Sequence, residues 1–268
     1  MKNLILILVT TFTVSFIPQS LTKERKIIMA VFAHPDDEID VMPLLSLYAR
    51  KGDDVYLVIA TKGEKGITEH AKIPAGDSLA GVRKGEALCV CQTLGIHDPI
   101  LLGMNDGSLD EDFTAQPLHQ KLDSIFRLYQ PDAVITWGPE GGYGHMDHRI
   151  VHDVVTEIFQ SGQLAKPKAL YYSGIPSENF KELPDFKGEM INQLKAYWKP
   201  VKKEYLTTRI KFDKDDIDRS IRAMYCHKSQ FSPEEMVDVK YWMEKMNKDT
   251  VYLRPFLPSM KIQFGLFE

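Results

Sequence analysis

Two short clusters, more than a hundred residues apart, hold the residue types that bind and use a metal ion. They are Ala33-His34-Pro35-Asp36-Asp37-Glu38 and Gly141-Gly142-Tyr143-Gly144-His145-Met146-Asp147-His148. A catalytic metal site needs about three ligands from His, Cys, Asp or Glu, one position left for water, and a proton acceptor that is not a ligand. His34 and Asp37 are three apart at a turn opened by Pro35, which can aim both side chains at one point. Imidazole nitrogen with carboxylate oxygen suits zinc. Asp36 then faces the water as general base, so two adjacent carboxylates take separate roles. His145 and His148 are also three apart; one can complete the metal triad while the other faces the substrate. We assign His148 as ligand because it begins the following helix, and His145 as oxyanion partner from its glycine-rich loop. Asp147 orients a histidine.

These side chains need elements that bring them together. Apolar runs at 27–33, 54–61, 99–103, 132–138 and 169–175 read as strands. Helical periods at 41–51, 78–95, 117–129 and 148–161 separate them, the second closed by Gly95 at its cap. Strands apolar on both faces and alternating with helices imply an α/β fold: a Rossmann-like, doubly wound, mainly parallel sheet in the order 3-2-1-4-5. The first and fourth strands are neighbours there, at the point where winding reverses, and one cluster leaves the end of each. Further along, a strand at 207–212, helices at 215–229 and 233–247 and an extended end at 251–256 form a C-terminal α+β extension expected to wall the pocket.

The 268 residues, 44% hydrophobic and 26% charged, suffice for one full core. A net charge of −4 gives no basic footprint for nucleic acid. Residues 1–22 combine Lys2, an apolar run from Leu4 to Ile17 and a polar exit at Pro18-Gln19-Ser20. That order fits a signal peptide, with an N-terminal membrane anchor as the rival, and predicts an exported protein, periplasmic or extracellular. Residues 23–268 read as a single domain. Cys89, Cys91 and Cys226 are too few for a disulfide framework and read as unpaired core residues.

The A-H-P-D-D-E and G-H-x-D-H motifs resemble those of the PIG-L/LmbE family of zinc-dependent N-deacetylases, which act on N-acetylglucosamine-bearing substrates, including those of mycothiol and bacillithiol synthesis. The similarity extends to Thr61-x-Gly63-Glu64-x-Gly66, Leu79-Ala80-x-x-Arg83-x-x-Glu86-Ala87, Leu102-Gly103-x-x-Asp106-Gly107 and Cys226-His227-x-Ser229-Gln230, in that order along the chain. It implies one zinc ion, or another divalent metal, on His34, Asp37 and His148, with Asp36 as base, His145 at the transition state and Tyr143 assisting the tetrahedral intermediate. It also implies substrate contacts for Arg83, Asp106 and Glu64. The bland readings of Arg83 and Asp106 are an exposed helix pair with Glu86 and a turn residue beside Gly107. Met146 stands where many members have Pro. The leader departs from the cytosolic thiol-pathway enzymes and points to an extracytoplasmic glycan or glycoconjugate.

The chemistry expected is hydrolysis of an N-acetyl amide on an amino sugar by metal-activated water. An amidase for a different N-acyl metabolite is the alternative, separated by a panel differing only in acyl size. An inactive carbohydrate-binding copy would usually have lost a ligand or the base, and metal content tests it. A dinucleotide site is excluded because no G-x-G-x-x-G follows the first strand.

Overall fold

The computed structural model describes residues 24–111 and 115–267. The run read as a leader lies outside them. Five parallel strands build the sheet's first part: β1 (Ile27–Phe32), β2 (Asp54–Thr61), β3 (Ile100–Met104), β4 (Ala133–Thr136) and β5 (Ala169–Ser173). Along β1, Ile28, Ala30 and Phe32 enter one core cluster while Met29 and Val31 enter the other. Both faces of this strand are therefore buried, which is why it reads as an unbroken apolar run. Burying a side chain as large as Phe32 contributes roughly 1.5–3 kcal/mol.

The crossovers between parallel strands carry the helices α1 (Met42–Arg50), α2 (Asp77–Leu94), α3 (Ala115–Tyr129) and α4 (Met146–Gln160). Residues of α1 and α2 pack on one face of the sheet, those of α3 and α4 on the other. Helix α2 ends as the sequence predicts, on Gly95 with φ of 75°.

The last third adds short helices α5 (Ser177–Phe180) and α6 (Glu189–Tyr197), strand β6 (Thr208–Lys211), helices α7 (Lys214–Met224) and α8 (Pro233–Asn247), and strand β7 (Thr250–Pro255). The full order is β3-β2-β1-β4-β5-β7-β6, with β7 antiparallel to both neighbours. The expected order 3-2-1-4-5 stands, and the final strand inserts beyond it. Helix α7 stops five residues short of the expected end. After Met224 the chain turns, Ser229 N–H and Oγ both bonding the Glu86 carboxylate.

The cysteines correct the sequence reading. Cys89, exposed on α2, is disulfide-bonded to Cys226, while Cys91 alone is free and buried, its thiol pushed up by burial. The bond joins residues 137 apart, a long-range pairing that spacing does not reveal. Among the described residues no helix is long and apolar enough to cross a membrane.

Candidate active site

Beyond β1 the chain makes a tight turn that aims His34 and Asp37 together. The Asp37 carboxylate accepts the backbone N–H of Ala33 at 3.0 Å and of His34 at 2.8 Å, and the Trp137 indole N–H at 3.1 Å. Asp36 lies between them at φ 116°, a left-handed conformation that a non-glycine residue holds only at a cost. Its N–H donates to Glu38 Oε2 at 3.0 Å, and Glu38 Oε1 in turn meets His227 Nε2 at 2.8 Å. Glu38 and His227 are both fully buried, and this pair braces the strained turn.

The second cluster arrives at the start of α4. Gly141, Gly142 and Gly144 all have positive φ, and a Cβ at Gly141 would lie 2.9 Å from the His145 carbonyl. The helix begins at Met146, two residues before the predicted start, with His145 as its N-cap. His145 Nδ1 accepts the Asp147 N–H at 3.2 Å, which leaves its proton on Nε2 when the ring is neutral. Burial, then His34 and His148, lowers its pKa and favours that neutral form.

Three donor atoms converge. His34 Nδ1 is 3.1 Å from His148 Nε2 and 3.5 Å from Asp37 Oδ2; Asp37 Oδ1 is 3.1 Å from His148 Nε2. A tetrahedral metal with arms of about 2.0–2.1 Å requires donor separations of about 3.3 Å, so the spacing fits. The outer nitrogens decide the tautomers. His148 Nδ1 donates to the Gly141 carbonyl at 3.2 Å, and His34 Nε2 meets Asp106 at 3.1 Å and Asp147 at 3.3 Å. With those outer nitrogens occupied, His34 Nδ1 and His148 Nε2 face each other at 3.1 Å, an arrangement that a cation between them satisfies. Burial opposes charge on His34, but Asp37, Asp106 and Asp147 outweigh it and hold its pKa well above the ordinary value. Burial likewise opposes charge on Asp37, yet His148 and His34 keep it well below the carboxylate range. A field that favours a proton here favours a metal ion equally.

His34, His145 and His148, and separately His34, Asp106 and Asp147, also place ligand atoms within 4.8 Å of one another. The second group surrounds the outer nitrogen of His34. Asp147 accepts the N–H of Gly107 at 2.8 Å and of Leu109 at 3.1 Å, and Asp106 accepts that of Lys65 at 3.1 Å. Against the effect of burial, the His34 hydrogen bond brings Asp106 down to about 2. Glu64, in turn, takes the Asp106 N–H at 3.1 Å. Asp147, expected to orient a histidine, meets the outer nitrogen of His34, and Asp106 and Glu64, expected at the sugar, stand behind that ring.

Arg83 also differs from its expected place. Only 3% exposed, it donates to the carbonyls of Gly63, at 3.0 Å, and Pro35, and pairs with Asp36 at 3.0 Å. It backs the Asp36 carboxylate, whose pKa burial nevertheless raises to about 6. A cavity of about 220 Å³ opens from Asp36 and Asp37, with Tyr143 and Trp137 on its wall and α6 and α8 closing it. Burial raises the Tyr143 hydroxyl and keeps it protonated. Sequence reasoning passed over Glu38, Trp137, Asp40 and His227. Glu38 and His227 lay inside the quoted motifs, whereas Trp137 and Asp40 carried no signal.

Residues 29–159 match the family model for PIG-L, described as GlcNAc-PI de-N-acetylase. The chain carries a PIG-L family domain. This domain is of the deacetylase type, that of hydrolases acting on amide bonds. A 1D-myo-inositol 2-acetamido-2-deoxy-alpha-D-glucopyranoside deacetylase of Corynebacterium urealyticum is 27% identical over 243 residues, covering 76% of this chain and 70% of that protein. A deacetylase of the same name from Mycobacteroides abscessus is 33% identical over 174 residues, covering 55% of this chain and 60% of its own length. Among solved structures, N,N'-diacetylchitobiose deacetylase from Pyrococcus horikoshii superposes with a TM-score of 0.66 at 18% identity, over 87% of this chain and 85% of its own. At that identity the likeness shows the fold.

The relatives of the PIG-L domain correct the expectation of export. They bear the name of the inositol-glucosaminide deacetylases, the cytosolic thiol-pathway type from which a leader would depart.

Proposed function

We propose that this PIG-L domain is a zinc-dependent N-deacetylase that removes acetate from an N-acetylated amino sugar. The observation that carries the reading is the meeting of His34 Nδ1, Asp37 and His148 Nε2 at 3.1–3.5 Å beside the unligated Asp36. The names of the curated relatives, which specify a 2-acetamido-2-deoxyglucopyranoside, support the substrate class.

His34, Asp37 and His148 hold the ion. A zinc ion there supplies Lewis acidity toward an amide carbonyl and lowers the pKa of water to roughly 7. The Asp36 carboxylate takes the proton from water as its oxygen adds to the carbonyl carbon. His145 Nε2–H and the Tyr143 hydroxyl, both kept protonated, donate to the developing oxyanion. Asp36, now a carboxylic acid, returns its proton to the sugar nitrogen as the C–N bond breaks, which gives acetate and a free amine. Asp147 and Asp106 hold the His34 proton on Nε2, so that Nδ1 stays available.

Purified protein should contain near-stoichiometric metal by elemental analysis. Chelation should abolish acetate release from N-acetylglucosamine glycosides, and zinc should restore it. Asp36→Ala should retain the metal and lose at least about 1000-fold in kcat. Equal rates in Asp36→Ala and the wild type would remove Asp36 from the mechanism.

A further inference from the structure

The cavity beside Asp36 is far larger than an acetyl methyl requires, and most of its wall is aliphatic and aromatic. Its volume is about 220 Å³. A cavity of roughly 150 Å³ lined by aliphatic and aromatic side chains takes up benzene. The wall beyond the two reacting carboxylates is built from Ile191 and Leu194 of α6, Phe231, Val239 of α8 and tryptophan rings. Trp137 marks the junction with the reacting centre: its ring stacks on His148 at 4.4 Å and 4° while its N–H is spent on Asp37. Trp198 follows, 6.2 Å from Trp137, and Trp242 lies 5.3 Å further on.

A pyranose presents several hydroxyls, each needing a partner when buried. The polar groups on the far wall are few and partly engaged. Gln230 donates its amide to Gly66, at 3.1 Å, and to Ser229, at 3.0 Å, and Asp40 is hydrogen-bonded to Trp242. We infer that this cavity receives an apolar group of about six carbons carried by the amino-sugar substrate, beside its scissile amide. The same chemistry can come from an acyl chain longer than acetyl or from an apolar aglycone. This inference rests on the deacetylase reading for the word substrate, but the binding preference stands independently.

All three tryptophans of the chain line the cavity, so intrinsic fluorescence reports its occupancy without any turnover. Titration of the protein as purified should use N-acetylglucosamine, N-hexanoylglucosamine and the hexyl glycoside of N-acetylglucosamine. Each buried methylene is worth up to about fourfold in affinity, so at least one six-carbon ligand should bind at least about tenfold tighter than the acetyl sugar. The arm that gains identifies the source as acyl chain or aglycone. Leu194→Asn and Met190→Asn, at partly buried wall positions, should each reduce that gain by about fivefold or more, with thermal midpoints confirming that the variants fold. A gain below tenfold in both arms, or a gain that survives both substitutions, overturns the inference. Absence of acetate release from N-acetylglucosamine and its hexyl glycoside by the zinc-loaded protein overturns the deacetylase reading instead and leaves this result untouched.

Discussion

Asp36 and Asp37 are chemically identical neighbours with opposite charge behaviour. Asp37 accepts three N–H groups and faces two imidazoles, which holds it ionised. Asp36 is raised from 3.8 to about 6 because burial outweighs Arg83. Paired carboxylates whose environments push them apart are the usual arrangement where one binds and the other moves protons. A base must be ionised to act, and a raised pKa keeps Asp36 protonated to a higher pH. Deacetylation should therefore be full above pH about 7 and fall through about 6, approaching tenfold per pH unit. A kcat/KM profile flat to pH 4.5 would rule out Asp36 as the titrating base. The spacing of His34, Asp37 and His148 made these residues legible in sequence, since a turn and a helix start aim residues three apart in one direction. The destination of Arg83 was not legible: helix position says which face a side chain leaves from, and only tertiary packing says that it folds back onto Pro35, Gly63 and Asp36.

The element that does most for the site is the first turn of α4. Within four residues it supplies the N-cap His145, Asp147 and the proposed ligand His148. Asp147 ties that turn to the loop after β3 through Gly107 and Leu109 and fixes the His34 tautomer. Replacing such a partner typically costs 10- to 100-fold in metal affinity. Asp147→Ala should therefore weaken zinc binding by about that factor in a competition titration with a chelator, because the His34 ring is freed and two N–H groups lose their acceptor. Undiminished affinity would show that Asp147 does not orient the ligand. Sequence periodicity found the parallel strands and α1 to α4 because each is a local pattern repeated along the chain. It missed α5 and α6 and the pairing of β7 between β5 and β6, which joins segments some eighty residues apart and leaves no local trace.

At the scale of the whole molecule, the second cross-tie is covalent. The Cys89–Cys226 bond closes a span of 137 residues between α2 and the turn after α7. Removing a crosslink across so long a loop typically costs about 2–4 kcal/mol. Cys89→Ser should lower unfolding stability by about that amount in urea titration, and a midpoint equal to wild type under non-reducing conditions would refute it. Both anchors of that crosslink also touch the support of the base: α2 carries Arg83, and the turn carries His227, the partner of Glu38. A reducing agent is for that reason a reagent with an effect of its own on this protein. Preparations handled with dithiothreitol and without it are two molecules, and rates measured on one do not transfer to the other until the thiol content of each has been counted.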